Sequence, residues 1–366
     1  MNRKGTVVVG MSGGVDSSVT AALLKEQGYQ VIGMTMKTYD FESVGGNTAN
    51  ETSCCGLDAV YDARVAASTL GIPHYVVDFR SEFDRSVIQY FVNEYVEGKT
   101  PNPCIMCNKH IKWGALLEKA RSLGASHIAT GHYARIRFDD TTGRYRLFKG
   151  RYEEKDQSYA LWGLTQEALA HTLFPLGELT KPEVRHMAEQ LGLKNAGKQE
   201  SFEICFVADN NYTRFIREQR PKLREQVQGG KVIMNGEEVG THEGYPFYTI
   251  GQRRGLGAYG KKVYVTHIDA KTNTITIGEP KDLLHPGLKA SKINLIGPRS
   301  LETGTPVQVK VRYKDRAEDG MITEVNGNSC IVRFTESKRA ITPGQSAVFY
   351  QGDEVIGGGI IDHVVV

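Results

Sequence analysis

The chain has 366 residues, with 45 lysines and arginines against 42 aspartates and glutamates, and six cysteines. At this length we expect two or three domains, because a single hydrophobic core rarely grows beyond about 250–300 residues. A mean hydropathy of −0.36 argues against a membrane protein, and no apolar run approaches the roughly 18 residues that a spanning helix needs. The few, unevenly spaced cysteines argue against a secreted disulfide scaffold, so we expect a cytoplasmic protein.

Strands and helices alternate along the first half of the chain. β-branched runs bounded by turn residues predict strands at 6–9, 31–36, 75–79 and 126–130. Apolar residues at helical spacing predict helices at 17–27, 57–70, 83–96, 107–123, 165–170 and 182–191. Thr180 is the predicted N-cap of the last helix. This alternation is typical of a doubly wound α/β domain with a parallel sheet.

The pattern changes after residue 209. One polar helix is predicted at 212–219, and from residue 263 onward the chain has short strand-like runs at 263–268, 274–277, 307–313, 330–334 and 347–350. Short strands at that spacing indicate an antiparallel barrel. We therefore predict an α/β adenine-nucleotide-binding domain at 1–210, a small central α+β domain at 211–289 and a C-terminal antiparallel β-barrel at 290–366.

A glycine-rich turn directly follows the first predicted strand. Its sequence is Gly10-Met-Ser-Gly-Gly-Val-Asp-Ser17, and its backbone amides can surround an anion because glycine leaves the turn unobstructed. The next helix directs its free N–H groups at the same place. The turn is neither a Walker A loop nor a dinucleotide fingerprint. It resembles the pyrophosphatase-type loop of adenylating enzymes, which split ATP between the α- and β-phosphates. Asp16 then either serves a Mg²⁺ that accompanies the nucleotide or orders the loop.

The cysteines stand at positions 54, 55, 104, 107, 205 and 330. Cys104 follows a Pro-bracketed loop that should present it rigidly, and Cys107 lies near a predicted helix start, where its pKa should fall. Cys205 is in an apolar, strand-like segment, and Cys330 is predicted to be core. Positions 54 and 55 lie in a Gly/Asn/Thr-rich loop and receive no role. A structural zinc would need a fourth ligand, for which His110 is the nearest candidate.

Motifs along the whole chain resemble those of the bacterial tRNA-specific 2-thiouridylases. They are Ser12–Ser17, Thr100-Pro-Asn-Pro-x-x-x-Cys-Asn108, Ala129–Tyr133, Lys155–Tyr159, Phe174–Gly177, Ile204–Phe206, Thr249–Arg253 and Thr342–Ala347. The resemblance implies a tRNA-uridine 2-sulfurtransferase that replaces the C2 oxygen of the wobble uridine by sulfur. It also implies adenylation of that oxygen by ATP with Mg²⁺, displacement of AMP by sulfur, and a sulfur-relay protein or cysteine desulfurase as partner.

The resemblance also assigns residues to the nucleotide and to the sulfur chemistry. The ATP site would comprise Gly10, Met11, Ser12, Gly13, Gly14, Val15, Asp16, Ser17, Met36 and Gly131. Cys205 would carry a persulfide and Cys107 would be the nucleophile or resolving thiol, so that a disulfide between them closes the cycle. Many relatives have an aspartate for acid–base work where this chain has Cys104. Alternatively, these three cysteines together would hold a [4Fe–4S] cluster as the sulfur carrier.

The tRNA contacts are assigned in the same way. They are Asn102, Pro103, Cys104, His132, Lys155, Asp156, Gln157, Arg312, Tyr313 and Gln345. The residues themselves add one argument, because basic side chains alternate at 310, 312, 314 and 316 and would share one face of a strand, where they could meet phosphates. A solvated edge strand would show the same pattern. Two rival classes remain: an ATP-dependent adenylating ligase acting on a small molecule, and a nucleotide-gated RNA-binding module without catalysis.

Overall fold

The computed structural model describes residues 4–40, 57–197, 204–207 and 209–366. The chain divides into two compact units. The first comprises residues 1–87, 104–210 and 353–356, and the second comprises residues 88–103, 211–352 and 357–366. In the described ranges, no helix combines the length and the apolar character that crossing a membrane requires.

A five-stranded parallel sheet lies at the centre of the first unit. The strands of this unit are β1 (Thr6–Gly10), β2 (Gln30–Lys37), β3 (His74–Asp78), β4 (His127–Ala129), β5 (Ala134–Asp139), β6 (Arg144–Lys149) and β7 (Thr172–Leu173). The sheet has the order β3-β2-β1-β4-β7. Its central strand β1 is fully buried at Val7, Val8 and Val9, as both faces of a parallel sheet are covered by helices. The order of connection reverses beside β1, which is where such sheets bind ligands at their carboxyl edge.

The helices largely follow the predicted periodicity. They are α1 (Val15–Glu26), α2 (Leu57–Leu70), α3 (Arg80–Phe83), α4 (Gln89–Val96), α5 (Pro103–Met106), α6 (Leu117–Ser122), α7 (Gln166–Ala170), α8 (Lys181–Gln190), α9 (Tyr212–Gln219) and α10 (Leu223–Val227), with π-helical segments at Asp84–Ile88 and Cys107–Leu116. Helix α8 begins with a capping box, in which the Glu183 N–H donates to the Thr180 hydroxyl and the Thr180 N–H donates to the Glu183 carboxylate. The prediction of Thr180 as N-cap is confirmed.

The helix that carries two of the cysteines begins earlier than predicted. Its residues are helical from Pro103 through consecutive segments to Ser122, instead of from Cys107. Pro103 takes the first helical position, where a missing N–H costs no hydrogen bond. Cys104 therefore lies in the first turn and Cys107 in the second, so the predicted activation of Cys107 by a helix terminus loses its geometric basis.

The second unit contains a small sheet and a barrel. Its remaining strands are β8 (Gly230–Met234), β9 (Glu237–His242), β10 (Tyr264–Asp269), β11 (Thr274–Gly278), β12 (Leu284–Leu295), β13 (Pro306–Lys310), β14 (Glu318–Asn326), β15 (Ser329–Arg339), β16 (Ser346–Gln351) and β17 (Glu354–Val365). The small sheet has the order β10-β11-β8-β9, and the barrel follows the order β12-β15-β14-β13-β16-β17 and closes by pairing of β12 with β17. The predicted fold class is confirmed, and the boundaries near 210 and 290 stay predictions.

Two features of the β-structure differ from the prediction. Strands β5 and β6 form an antiparallel hairpin in the first unit. The sequence analysis did not predict these strands, because their many basic residues mask the apolar pattern of a strand. Strand β13 ends at Lys310, and residues 311–317 leave the sheet in an irregular turn. Lys310 is buried with its ammonium 5.6 Å from the ring centroid of Tyr350, and Arg312 donates to the Ala340 carbonyl and the Thr342 hydroxyl. The argument from alternating charges on one strand face is therefore wrong.

The core position predicted for Cys330 is confirmed. Its side chain is buried in β15, and burial raises the pKa of the thiol from 9.0 to about 12. In the unfolded chain the thiol ionises at the lower of these values. The stability that comes from keeping the thiol protonated in the folded state is therefore fully present below pH 9 and is lost as the pH rises towards 12.

We expect iodoacetamide at mildly alkaline pH to leave Cys330 unmodified in the folded protein, because the thiolate is the reactive form and this thiol is both protonated and buried. Cys104 is exposed and should be alkylated under the same conditions. Peptide mass spectrometry before and after denaturation in guanidinium measures both sites. Equal labelling of the two cysteines in the folded protein would contradict the assignment of Cys330 to the core.

Candidate functional site

The loop between β1 and α1 is fastened to the neighbouring strand and to its own helix. The Met11 N–H donates to the Met34 carbonyl at 2.8 Å, and the Thr35 hydroxyl donates to the Met11 carbonyl at 2.8 Å. Further along, the Ser12 N–H donates to the Ser17 hydroxyl at 3.2 Å, which in turn donates to the Gly14 carbonyl at 3.1 Å. The loop therefore has a fixed shape before any ligand binds.

Its two adjacent glycines are required for different reasons. Gly13 has a φ of +73°, and a Cβ there would lie 2.3 Å from the Ala59 carbonyl oxygen of α2, so the packing of α2 leaves room for glycine alone. Gly14 is the N-cap of α1 with an ordinary φ of −84°. Among the described residues, a Cβ at Gly14 would meet only the Ser12 hydroxyl, at 3.4 Å. Position 14 thus faces open space at the helix N-terminus, where a phosphate would bind.

The residues assigned to ATP come together at the carboxyl edge of the sheet. Gly131 follows β4, and a Cβ there would lie 2.8 Å from the Asp16 Cβ and 2.9 Å from the Ser17 N. Its backbone thus packs directly on the start of α1. Met36 is the penultimate residue of β2, which pairs with β1 on the other side. The loop Gly10–Ser17, Gly131 and the end of β2 therefore lie at the same edge of the sheet, and their assignment to ATP stays a prediction.

A carboxylate and a lysine form an ion pair beside the loop. The Lys181 Nζ donates to both Asp16 oxygens, at 2.7 and 2.8 Å, and the Tyr133 hydroxyl donates to the Asp16 Oδ1 at 2.7 Å. The Lys181 side chain is 9% exposed and that of Asp16 is 27% exposed. Of the two roles considered for Asp16, these contacts support ordering of the loop. A role of Asp16 towards Mg²⁺ stays a prediction.

The sequence analysis did not identify Lys181 and Asn195 as residues that contact the loop. The buried Asn195 side chain donates to the Gly13 carbonyl and to the Ser18 hydroxyl, both at 3.0 Å, and so supports the loop from behind. One signal for Lys181 was present in the sequence. It is the first residue of α8, where a cation opposes the helix dipole, and such a local conflict often marks a functional or paired residue.

Four of the cysteines, at positions 104, 107, 205 and 330, lie in the described residues, and positions 54 and 55 lie outside them. Cys104 is exposed, whereas Cys107 and Cys205 are half-buried. Cys205 lies in a turn closed by a hydrogen bond from the Val207 N–H to the Ile204 carbonyl at 2.9 Å, so the strand predicted there is wrong.

Nothing in the described ranges forms a metal centre: no three His, Cys, Asp or Glu side chains there are grouped closely enough to bind a metal ion. The three thiols at 104, 107 and 205 therefore do not fit a preassembled [4Fe–4S] cluster in this arrangement. The same holds for the zinc site considered with His110.

His132 lies among aromatic side chains, one residue after Gly131. Its ring packs against Trp113 and Phe174, its Nδ1 is 2.7 Å from the Thr130 hydroxyl, and its Nε2 is 3.4 Å from the Lys112 Nζ. Burial, and secondly the Lys112 charge, lower the pKa of His132 well below 6.5. The ring is therefore neutral at pH 7, and its burial disfavours the folded state as the pH falls below 6.5.

Several residues assigned to tRNA have structural partners within the chain. The Asp156 carboxylate is buried and accepts from Gly150 and Ser158, and the Gln157 side chain accepts from the Tyr133 N–H at 3.1 Å. In the second unit the Gln345 amide donates to the carbonyls of residues 100 and 101, at 2.9 and 3.1 Å. Gln345 thus fixes the segment immediately before Asn102. The tRNA contacts themselves, including Lys155, Arg312 and Tyr313, stay predictions.

A parallel sheet with a glycine-rich anion loop after its first strand defines a phosphate-loop α/β protein with an attached β-barrel. Family models match three consecutive parts of the chain. They are described as tRNA methyl transferase HUP domain (residues 5–209), tRNA methyl transferase PRC-barrel domain (residues 215–279) and aminomethyltransferase beta-barrel domain (residues 285–361).

Curated relatives are similar over the whole length. The chain is 52% identical to the tRNA-specific 2-thiouridylase MnmA of Salinibacter ruber, over 100% of this chain and 96% of the relative. It is 50% identical to the protein of the same name from Amoebophilus asiaticus, over 98% and 96%. A solved 4-thiouridine synthetase in complex with RNA and ATP has 18% identity and a TM-score of 0.38, over 60% of this chain and 51% of that one, which is too low to carry an argument. The chain belongs to the tRNA-specific 2-thiouridylase family.

The ion pair between Asp16 and Lys181 should stabilise the first unit measurably. We expect the double-mutant cycle of Asp16→Asn and Lys181→Met to give a coupling free energy of about 1–3 kcal/mol, because a largely desolvated, hydrogen-bonded pair is lost. Both tryptophans, Trp113 and Trp162, lie in this unit, so urea unfolding followed by tryptophan fluorescence reports on it.

The exposed pair of Arg121 and Glu167 in the same unit is the matched control. Its charged atoms are 2.8 Å apart, but the side chains are 41% and 69% exposed, so its coupling should stay near or below about 0.5 kcal/mol. Equal coupling in the two cycles would show that the pair at the loop has no special energetic role.

Proposed function

We propose that this protein uses ATP to replace the C2 oxygen of the wobble uridine of tRNA by sulfur. The observation that carries the proposal is that one compact unit contains both the phosphate loop and the thiols Cys107 and Cys205. Relatives at 50% and 52% identity bear the name tRNA-specific 2-thiouridylase. Methyl transfer, which two of the family descriptions mention, would require neither a pyrophosphate-binding loop nor a sulfur carrier.

The first step activates a poor leaving group. The C2 oxygen attacks the α-phosphorus of ATP, an O–P bond forms, the bond from the α-phosphorus to the bridging oxygen breaks, and pyrophosphate leaves. The uracil N3 gives its proton to a base, for which Cys104 is the candidate, and N3 takes a proton back when AMP leaves. The open face at Gly14 and the N–H groups at the start of α1 accommodate the departing phosphates. The ion pair with Asp16 holds Lys181 next to the loop. We assign Lys181 to stabilise the negative charge that develops on the departing pyrophosphate.

The second step transfers sulfur. The terminal sulfur of a Cys205 persulfide attacks C2, a C–S bond forms, and the C–O bond to AMP breaks. The Cys107 thiolate then attacks the Cys205 Sγ, so that the S–S bond to the transferred sulfur breaks and a Cys107–Cys205 disulfide forms. The transferred sulfur is reduced by two electrons and the two cysteines are oxidised by two. An external dithiol must reduce the disulfide, and a sulfur-relay protein or cysteine desulfurase must reload Cys205.

Recognition of the substrate fits the positions of the remaining residues. Cys104 is exposed in the first turn of its helix, where it can take or return a proton on a base bound nearby. The neutral ring of His132 can contact a base without charge repulsion or attraction. A wobble base is already unpaired in the anticodon loop, so extruding it costs little.

The phosphate loop can be tested at Gly14. We expect Gly14→Val to abolish ATP-dependent pyrophosphate release while the protein stays folded, because the new side chain fills the phosphate position without meeting backbone. The matched control is Gly197→Val, since a Cβ at Gly197 meets no atom of the described residues within 4 Å and the residue lies outside the loop. Wild-type pyrophosphate release by a folded Gly14→Val protein would refute the nucleotide site.

The cysteines can be tested by serine replacement. We expect Cys107→Ser and Cys205→Ser each to eliminate thiolation but to preserve pyrophosphate release, because the phosphate loop is unchanged. Cys330→Ser should retain thiolation, since Cys330 is core. The measurement is mass analysis of nucleosides from tRNA incubated with ATP and a sulfur source. Unchanged RNA would instead favour a small-molecule ligase if pyrophosphate is released, or a binding module if it is not.

The cluster mechanism requires a separate variant. Cys104→Ala removes one of the three thiolates that a cluster would use, so thiolation at the wild-type rate in the absence of iron would exclude it. Cys104→Asp restores the residue of many relatives and should keep substantial activity under persulfide chemistry. The absorption spectrum of anaerobically purified wild-type protein shows directly whether a cluster is present.

A further inference from the structure

A buried tyrosine hydroxyl binds the backbone of the residue proposed to carry sulfur. Tyr39 lies two residues beyond the end of β2, is 4% exposed, and donates its hydroxyl to the Cys205 carbonyl oxygen at 2.6 Å. The two residues are 166 positions apart in the sequence. Tyr39 belongs to none of the sequence motifs, and it takes no part in the reaction steps proposed for the site.

The residue after Cys205 is fixed by the same group of aromatic rings. Phe206 is 1% exposed and packs edge to face on Phe83 with ring centroids 5.7 Å apart, and Phe83 packs on Tyr39 at 5.9 Å. The turn is also closed internally, from Val207 to Ile204. The backbone is thus restrained at Cys205 and on its carboxyl side, while the Cys205 side chain stays half-buried and accessible.

The end of β2 and the residues just after it contact both the phosphate loop and the Cys205 turn. Thr35 of β2 donates its hydroxyl to the Met11 carbonyl at 2.8 Å, and Tyr39, four residues further along, donates to the Cys205 carbonyl. Met36, assigned to the nucleotide, lies between them. One short segment therefore fixes the loop that would bind ATP and the turn that would carry the persulfide.

We infer that Tyr39 is a positioning residue for sulfur transfer, which sets the Cys205 turn relative to the nucleotide site. This inference rests on the proposed role of Cys205 as sulfur carrier. Its physical basis is that attack requires the reacting atoms about 3–3.5 Å apart, and a misplacement of about 1 Å can cost a hundredfold in rate. Without the hydroxyl, the Cys205 carbonyl loses the hydrogen bond from Tyr39, and the turn can shift even though the rings still pack.

The test is Tyr39→Phe, which keeps the ring in contact with Phe83 and removes only the donor. Protein loaded with persulfide is mixed with ATP and tRNA, and single-turnover thiolation and pyrophosphate release are both followed. We expect thiolation to slow at least about tenfold, with pyrophosphate release and the KM for ATP within about twofold of wild type. Alkylation of Cys205 by iodoacetamide should become faster relative to that of Cys107, because the turn is less restrained.

The matched control is Tyr245→Phe. Tyr245 is also buried and donates its hydroxyl to a backbone carbonyl, that of Val96, at 2.7 Å, but in the second unit. It should leave both rates at their wild-type values.

The outcomes separate this inference from the proposed function. Thiolation at the wild-type rate in Tyr39→Phe, together with loss of activity in Cys205→Ser, would overturn the inference alone. Full activity in Cys205→Ser would overturn the proposed function and the inference with it. A parallel fall of thiolation and pyrophosphate release in Tyr39→Phe would indicate general damage to the first unit and would count against a positioning role.

Discussion

The site depends on the charge of one carboxylate. Asp16 lies in the first turn of α1, and its oxygens accept from Lys181 at the start of α8 and from Tyr133 after β4. Three segments distant in the sequence therefore meet at a single side chain. The negative charge of Asp16 interacts favourably with the positive end of the α1 dipole. It also neutralises Lys181, whose positive charge lies at the positive end of the α8 dipole.

This arrangement keeps a cation beside a loop that lacks one of its own. The segment Gly10–Ser17 contains no lysine or arginine, in contrast to loops that carry a lysine within their motif. Backbone amides and a helix terminus stabilise a bound phosphate, but a departing pyrophosphate has several negative charges. In the proposed reaction Lys181 would meet that need from another helix, and the loop itself would stay small enough for close approach of the nucleotide.

Much of the fold could be predicted because its causes are local. The helix bounds at 57–70 follow from apolar periodicity, and the cap at Thr180 follows from its hydroxyl. The tertiary partners could not be predicted. Lys181, Asn195 and Tyr39 act through contacts 165, 182 and 166 positions away, and no local pattern encodes such pairs. The strand predicted through residue 313 failed because alternating charges resemble a strand even where the chain leaves the sheet.

The adjacent glycines at 13 and 14 are constrained by different parts of the molecule. Gly13 has a positive φ and lies against the backbone of α2. A larger residue at this position would therefore destabilise the fold, whether or not a ligand is bound. Gly14 has an ordinary conformation and open space, so selection against larger residues there would come from the ligand. In proteins of this fold that have lost nucleotide binding during evolution, we therefore expect the glycine at position 13 to be retained. The residue at position 14 should vary.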